Sequence, residues 1–217
     1  MQVYDAPLRD MRFVLNELHA DDGFGDIPAL AEFTPDLTDA ILEEADKFAS
    51  GVLAPLNWVG DQEGAKWNNG EVATAPGWKE AYTQFAESGW TALPCDPEYG
   101  GQGLPKLLAT AVMEMWKSAN MAFGLCPMLS LASIEALEAV GTDSQKETYL
   151  TKLVSGEWTG AMVLTEPQAG SDVGALRTKA EPLADGTYAI SGQKIYISWA
   201  DNDFTENVCH LVLARLP

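Results

Sequence analysis

The hydrophobic period of this chain changes once, at Gly156-Glu-Trp-Thr-Gly160. Before that point apolar residues return every three or four positions; after it they return every second position. A helix and a strand each have one apolar side to bury, so a chain written this way stacks helices first and adds a sheet afterwards. The expected class is α+β, an N-terminal helical bundle followed by an incomplete antiparallel β-barrel or sheet domain. The expected division is a 1–34 extension, a 35–157 helical domain and a 158–217 β-domain.

Within the first part, Leu8, Met11, Phe13, Val14 and Leu18 predict a short amphipathic helix, and Asp21-Asp22-Gly23 and Pro28 punctuate the chain after it. A helix is predicted over 36–53, capped by Asp36 or Thr38, apolar through Leu37, Ile41, Leu42, Ala45 and Phe48, and stopped by Pro55. Residues 58–76 read as loop, being rich in Gly, Asn and Pro. Trp78, Tyr82 and Phe85 open another helix with Gly89 as its stop. Glu98-Tyr-Gly-Gly-Gln-Gly-Leu-Pro105 is a glycine-rich turn ahead of a helix through Leu107, Leu108, Ala111, Met115 and Trp116. It follows no strand, so it is a poor nucleotide loop. A helix over 128–140 carries Leu129, Ala132, Ala136 and Leu137 on one side and ends at Gly141; Ser144 caps one more through Leu150 and Leu153. After the change of period, Met162 and Leu164 share one side of a strand. Asp185-Gly186 joins the runs 175–183 and 187–191 as a hairpin, and 207–215 is a last strand. In a strand over 193–199, Lys194, Tyr196 and Ser198 point one way and Ile195, Ile197 and Trp199 the other.

Composition excludes several functions. With 32 Asp+Glu against 13 Lys+Arg, the net charge is −19, which opposes nucleic acid and anionic membrane surfaces. Cys95, Cys126 and Cys209 are odd in number and far apart; with isolated His19 and His210 they offer neither a disulfide framework nor a metal site. A reduced, cytoplasmic setting is expected. The N-terminus has no secretion signal, and no apolar run approaches transmembrane length.

The richest motif is Ala161-Met-Val-Leu-Thr-Glu-Pro-Gln-Ala-Gly-Ser-Asp-Val173. An apolar strand ends at Thr165, Glu166-Pro167 breaks it, and Gly170-Ser171 bends a small hydroxyl-bearing loop. Such a ledge lets backbone amides and short side chains approach a flat cofactor. Glu166 and Asp172 suit turns and are not read as a catalytic pair. This segment resembles the signature of the acyl-CoA dehydrogenase family. The resemblance continues through Lys179-Ala-Glu, Tyr188-Ala-Ile-Ser-Gly-Gln-Lys-Ile-Tyr-Ile-Ser198 and Leu211-Val-Leu-Ala-Arg215. Tyr4-Asp-Ala-Pro-Leu-Arg-Asp-Met-Arg-Phe13, Ser118-Ala-Asn120, Gly156-Glu-Trp158 and His210–Pro217 are similar to one bacterial branch. That branch includes 3-methylmercaptopropionyl-CoA and broad-range fatty acyl-CoA dehydrogenases.

The resemblance implies FAD as cofactor. It implies Met162, Leu164 and Thr165 along the flavin pyrimidine, the first two through backbone. It implies Gly170 and Ser171 near the diphosphate or the thioester, Tyr196 against the ring, and Ser198 near the reactive nitrogen. Ser171 and Arg177 are the substrate-binding candidates; Arg177 and Lys179 either hold CoA phosphates or form a solvated strand face. Leu107, Met113, Met115, Met121 and Phe123 are either core or acyl-pocket wall. Trp199-Ala200 replaces a small turn, and a tryptophan there is expected to crowd the flavin edge. The implied reaction is α,β-dehydrogenation of an acyl-CoA, with an electron-transferring flavoprotein as acceptor and a homodimer or homotetramer as assembly. The family's catalytic glutamate is expected beyond Pro217, so no catalytic residue falls in this chain. Residues 1–217 alone are expected to bind FAD weakly or not at all and to lack activity. The alternatives are a non-catalytic flavin or acyl-CoA-binding module, and a same-fold oxidase or flavin monooxygenase.

Overall fold

The computed structural model describes residues 3–18, 27 and 33–217. His19, Asp21-Asp22-Gly23 and Pro28 lie outside the described residues. A short helix α1 (Leu8–Arg12) continues as a π-helical turn over Phe13–Leu18. Only Met11 and Leu15 of this stretch are buried; Phe13, Val14 and Leu18 of the expected stripe are exposed. Helix α2 (Pro35–Phe48) is capped by Thr34, whose Oγ1 accepts from Leu37 N–H at 3.3 Å, ahead of the residues expected to cap it. Pro55 does not stop the chain. A π-helical turn over Ala49–Leu53 leads directly into α3 (Ala54–Glu63), with Pro55 in its first turn. Proline lacks the helical N–H and its ring collides with the carbonyl four residues back; a widened turn there lets the helix pass.

The expected loop over 58–76 holds the end of α3 and a hairpin, β1 (Lys66–Asn68) paired antiparallel with β2 (Glu71–Ala73). Its turn is Asn69-Gly70, both at positive φ. Helices α4 (Trp78–Glu87) and α5 (Lys106–Ala119) fall where helical spacing places them. Between them, Gly100 and Gly103 take left-handed φ, and a side chain on Gly101 would meet the Cys95 carbonyl oxygen at 2.0 Å. The glycine-rich turn is thus a close-packed corner. Helix α6 (Met121–Val140) starts seven residues earlier than expected, because Asn120 Oδ1 caps it by accepting from Phe123 N–H, and Pro127 lies inside it. By length and composition α6 is apolar enough to cross a membrane, contrary to the expectation that no run is. Here it packs between α5, α7 and β3, with Phe123, Cys126, Ile134 and Leu137 buried. Helix α7 (Asp143–Val154) has a reciprocal cap of Thr142 and Gln145 rather than Ser144.

The sheet layer comprises β3 (Thr159–Val163), β4 (Lys179–Pro182), β5 (Tyr188–Ser191) and β6 (Val208–Val212). The α+β class and the helical layer preceding it are as expected, and no barrel closes among the described residues. β4 and β5 form the expected antiparallel hairpin. The other pair departs from expectation: β3 and β6 run parallel, Thr159 opposite Val208 through Val163 opposite Val212. The long connection between them makes parallel pairing possible.

The core belongs to both parts of the chain. Trp116 meets Phe48, Phe85 and Trp90 at ring separations of 5.4, 5.6 and 5.2 Å. Phe204, from the segment before β6, stacks on Tyr82 at 4.8 Å and reaches Phe123 at 5.9 Å. Of the residues left between core and pocket wall, Met115 and Phe123 are fully buried and Met121 is exposed.

Candidate functional site

The site is built around one edge of β3. Thr159 N–H donates to Asn207 O at 3.2 Å, and Val163 O accepts from Leu213 N–H at 3.1 Å. In a parallel ladder alternate residues turn both backbone groups to the same neighbour. Residues 159, 161 and 163 therefore face β6, while Gly160, Met162 and Leu164 face the opposite edge. There Gly160 N–H donates to Ser130 Oγ at 3.0 Å, and Leu164 O accepts from Lys194 Nζ at 2.8 Å. The N–H and C=O of Met162 and the N–H of Leu164 remain unpaired among the described residues. Gly160 lets the strand seat here: a side chain on it would meet Ser133 Oγ at 2.5 Å.

Beyond β3, Glu166 is buried and fixes the loop. It exchanges backbone bonds with Ala169, each 3.0 Å. Its carboxylate accepts from Gln168 Nε2 (2.7 Å), Arg177 N–H (2.7 Å), Thr178 N–H (3.0 Å) and Lys194 Nζ (3.0 Å). The Thr178 side chain, the amides of Arg177 and Thr178, and the Lys194 ammonium hold this carboxyl well below the usual range, outweighing the burial that acts the other way. Glu166 is thus a fixed anion with its oxygens occupied, which agrees with reading it as a turn residue. Arg215 closes the same loop, donating through Nε to Leu176 O at 2.9 Å and through its guanidinium to Gly174 O.

The segment 193–199 is not a strand, and the two-residue alternation expected there does not hold. Tyr196 and Trp199 both have φ of 56°. Left-handed backbone costs an ordinary residue about 1–2 kcal/mol and breaks any pleat. One backbone bond ties the segment to the ledge, Ile195 N–H to Thr165 O at 3.0 Å. Tyr196 is 90% exposed and Ser198 lies at the surface, so neither is sealed in the interior. Trp199, half-buried, packs its indole against the helical core. It stacks on Trp78 at 6.1 Å, and its Nε1–H donates to Ala122 O at 3.0 Å.

Met162, Leu164 and Thr165 therefore share one edge with the start of the 193–199 segment. Gly170 and Ser171 stand exposed on the adjoining loop; the Arg177 side chain is exposed while its amide serves Glu166. Two residues escaped the sequence reading as organisers, Lys194 and Trp199. Lys194 finds its carboxylate 28 positions away, and no local pattern marks that pairing. Burial, then Glu138 and Glu135, pushes the Cys95 thiol up to about 12, and burial also raises Cys126 and Cys209. Among the described residues no cluster of His, Cys, Asp or Glu can hold a metal.

Residues 35–157 match the profile of the acyl-CoA dehydrogenase N-terminal domain. The chain is 47% identical over 214 residues to 3-methylmercaptopropionyl-CoA dehydrogenase of Ruegeria pomeroyi, covering 99% of this chain and 36% of that protein. It is 34% identical over 221 residues to a broad-specificity linear acyl-CoA dehydrogenase of Mycobacterium tuberculosis, covering 99% and 35%. The chain thus spans about a third of the length of these curated relatives. Among solved structures it is similar to butyryl-CoA dehydrogenase of Megasphaera elsdenii (TM-score 0.63, 29% identity, 75% of this chain and 40% of that one). It is also similar to an acyl-CoA dehydrogenase complexed with FAD from Bacillus anthracis (TM-score 0.68, 25% identity, 82% and 28%).

Proposed function

Because the chain belongs to the acyl-CoA dehydrogenase family, we propose that it supplies the flavin shelf and part of the acyl pocket of an enzyme that dehydrogenates acyl-CoA thioesters between their α and β carbons. The observation that carries this reading is the open edge of β3 at Met162 and Leu164, beside an exposed phenol and a surface hydroxyl. A flavin pyrimidine presents an N–H donor between carbonyl acceptors, and an unpaired strand edge offers the complementary groups. FAD, when bound, supplies the two-electron hydride acceptor that no side chain here can provide.

The chain's own residues bind and orient. Met162 and Leu164 hold the pyrimidine through backbone groups, and Thr165 adds its hydroxyl. Tyr196 would lie against the ring, and Ser198 would donate toward its reactive edge. Gly170 and Ser171 take the diphosphate or the thioester, and the Arg177 guanidinium answers the phosphates of CoA. That local charge is needed because a net charge of −19 does not attract an anionic substrate. The family resemblance places the carboxylate that takes the α-proton outside residues 1–217; Glu166, held ionised and fully bonded, does not serve as that base. The division at 34 and 157, an electron-transferring flavoprotein as acceptor, a homo-oligomer and a cytoplasmic setting belong to the same proposal.

The test is spectroscopic. The full gene product is expected to purify with FAD and to lose its flavin absorbance on addition of a saturated acyl-CoA. Residues 1–217 mixed with FAD and the same thioester are expected to show no bleaching. A flavin-free gene product overturns the proposal; bleaching by residues 1–217 alone overturns the placement of the base. Rapid reoxidation by oxygen, rather than by an electron-transferring flavoprotein, would make the enzyme an oxidase.

A further inference from the structure

Residues 192–200 carry the exposed part of the ledge without a ladder to hold them. Their near end is tied by the Ile195–Thr165 backbone bond and by Lys194, which reaches Leu164 O and Glu166. No comparable tie exists at Tyr196 or Ser198, whose side chains have no hydrogen-bond partner among the described residues. The far end is fixed by the Trp199 side chain and, one residue on, by His210, whose Nε2 lies 2.6 Å from Ala200 O. The Trp199 indole stacks on Trp78 with an interplanar angle of 20°, lies 4.8 Å from Phe204, and donates to Ala122 O in the first turn of α6. Asn202 Nδ2 and Trp199 O, 3.5 Å apart, add a weak bond. A cavity of about 350 Å³ lies against the indole, with Ser198, Trp78 and Leu125 in its walls, so the ring is a wall between helices and ledge. A tryptophan is held at φ of 56° only where surroundings over-determine it.

Resting on the proposed flavin shelf, we infer that Trp199 is the positioning residue of the ledge. Packed against the helical core, it sets where Ser198 and Tyr196 stand, and it couples their placement to α4 and α6. The position is left-handed, so glycine fits the backbone there without strain; Trp199→Gly removes the anchor and its ring contacts and loosens the chain. Trp199→Phe keeps a ring against Trp78 and Phe204 and removes the bond to Ala122.

Two readouts test this in the full gene product. In FAD-free protein, Trp199→Gly is expected to speed hydrogen exchange at the Ile195 amide by about tenfold while amides in the middle of α5 stay protected. For FAD, its dissociation constant is expected to rise about tenfold with Trp199→Gly and less with Trp199→Phe. In a Ser198→Ala background the Trp199→Gly effect is expected to shrink to about threefold or less, because a residue that acts through another loses its effect with it. Unchanged exchange at Ile195 overturns the inference whatever the flavin does. Faster exchange with unchanged FAD affinity, or an undiminished effect in the Ser198→Ala background, overturns it while leaving the flavin shelf standing. Wild-type protein that binds no FAD overturns the shelf, and the inference with it.

Discussion

A carboxylate next to the proposed flavin ledge is an obvious candidate base, yet Glu166 is unsuited to take a proton. Its surroundings are donors: two backbone amides, an amide side chain and an ammonium. A group whose folded pKa is depressed contributes stability that is complete above the unfolded value, about 4.3 for glutamate, and is lost as pH falls below it. Glu166→Gln places an amide N–H₂ against those donors. The variant is therefore expected to melt at a lower temperature than wild type at pH 7, and the difference is expected to narrow between pH 5 and pH 3. Thermal midpoints across that range check it, and two parallel curves would refute it. Nothing in Thr165-Glu-Pro167 announces a buried anion; Glu-Pro reads as a turn, which it also is. The burial comes from Lys194 and from the loop that Arg215 folds over it.

At the scale of elements, local signals and tertiary packing divide the work. Thr142 and Gln145 form a capping pair readable in sequence, though Ser144 is an equally acceptable cap by residue type alone. The structure chooses Thr142, so Thr142→Ala is expected to cost about 1 kcal/mol in chemical denaturation, and Ser144→Ala only a few tenths. Pro55 and Pro127 carry the strongest local stop signals and both are overridden. The chain widens into a π-turn before Pro55 and buries Phe123 and Cys126 around the start of α6. The hairpin at Asp185-Gly186 needed no help, because Gly186 takes φ of 85° and Asp185 Oδ1 accepts from Thr187 N–H and Oγ1–H. The parallel pairing of β3 with β6 had no such local mark, since register between strands so far apart is set by what packs on them.

Over the whole molecule, the segment 199–204 returns from the sheet layer to complete the helical core. Phe204 stacks on Tyr82, and Asn202 Oδ1 accepts from Phe204 N–H at 3.0 Å to hold the bend. Helix and sheet should therefore unfold together. Phe204→Ala is expected to cost about 3–5 kcal/mol. It is expected to lower in step the far-ultraviolet helix transition and the tryptophan fluorescence transition; separation of the two would show that the layers are independent. Tyr82, whose hydroxyl donates to Gly156 O at 3.1 Å, pins the point where the chain changes period to the same core.

The helical layer before β3, the hairpin at Asp185-Gly186, the small-residue loop after β3 and the family itself were determined by the sequence, because periodicity, turn chemistry and a long motif are written in adjacent residues. Tertiary structure alone decided that Glu166 is a bonded anion, that Trp199 faces the helices, that Tyr196 lies outside any strand, and that Met162 stands at an open edge. Each of those depends on partners 28 to 77 residues away or on the direction of a neighbouring strand, and no local pattern encodes a contact between groups so far apart along the chain.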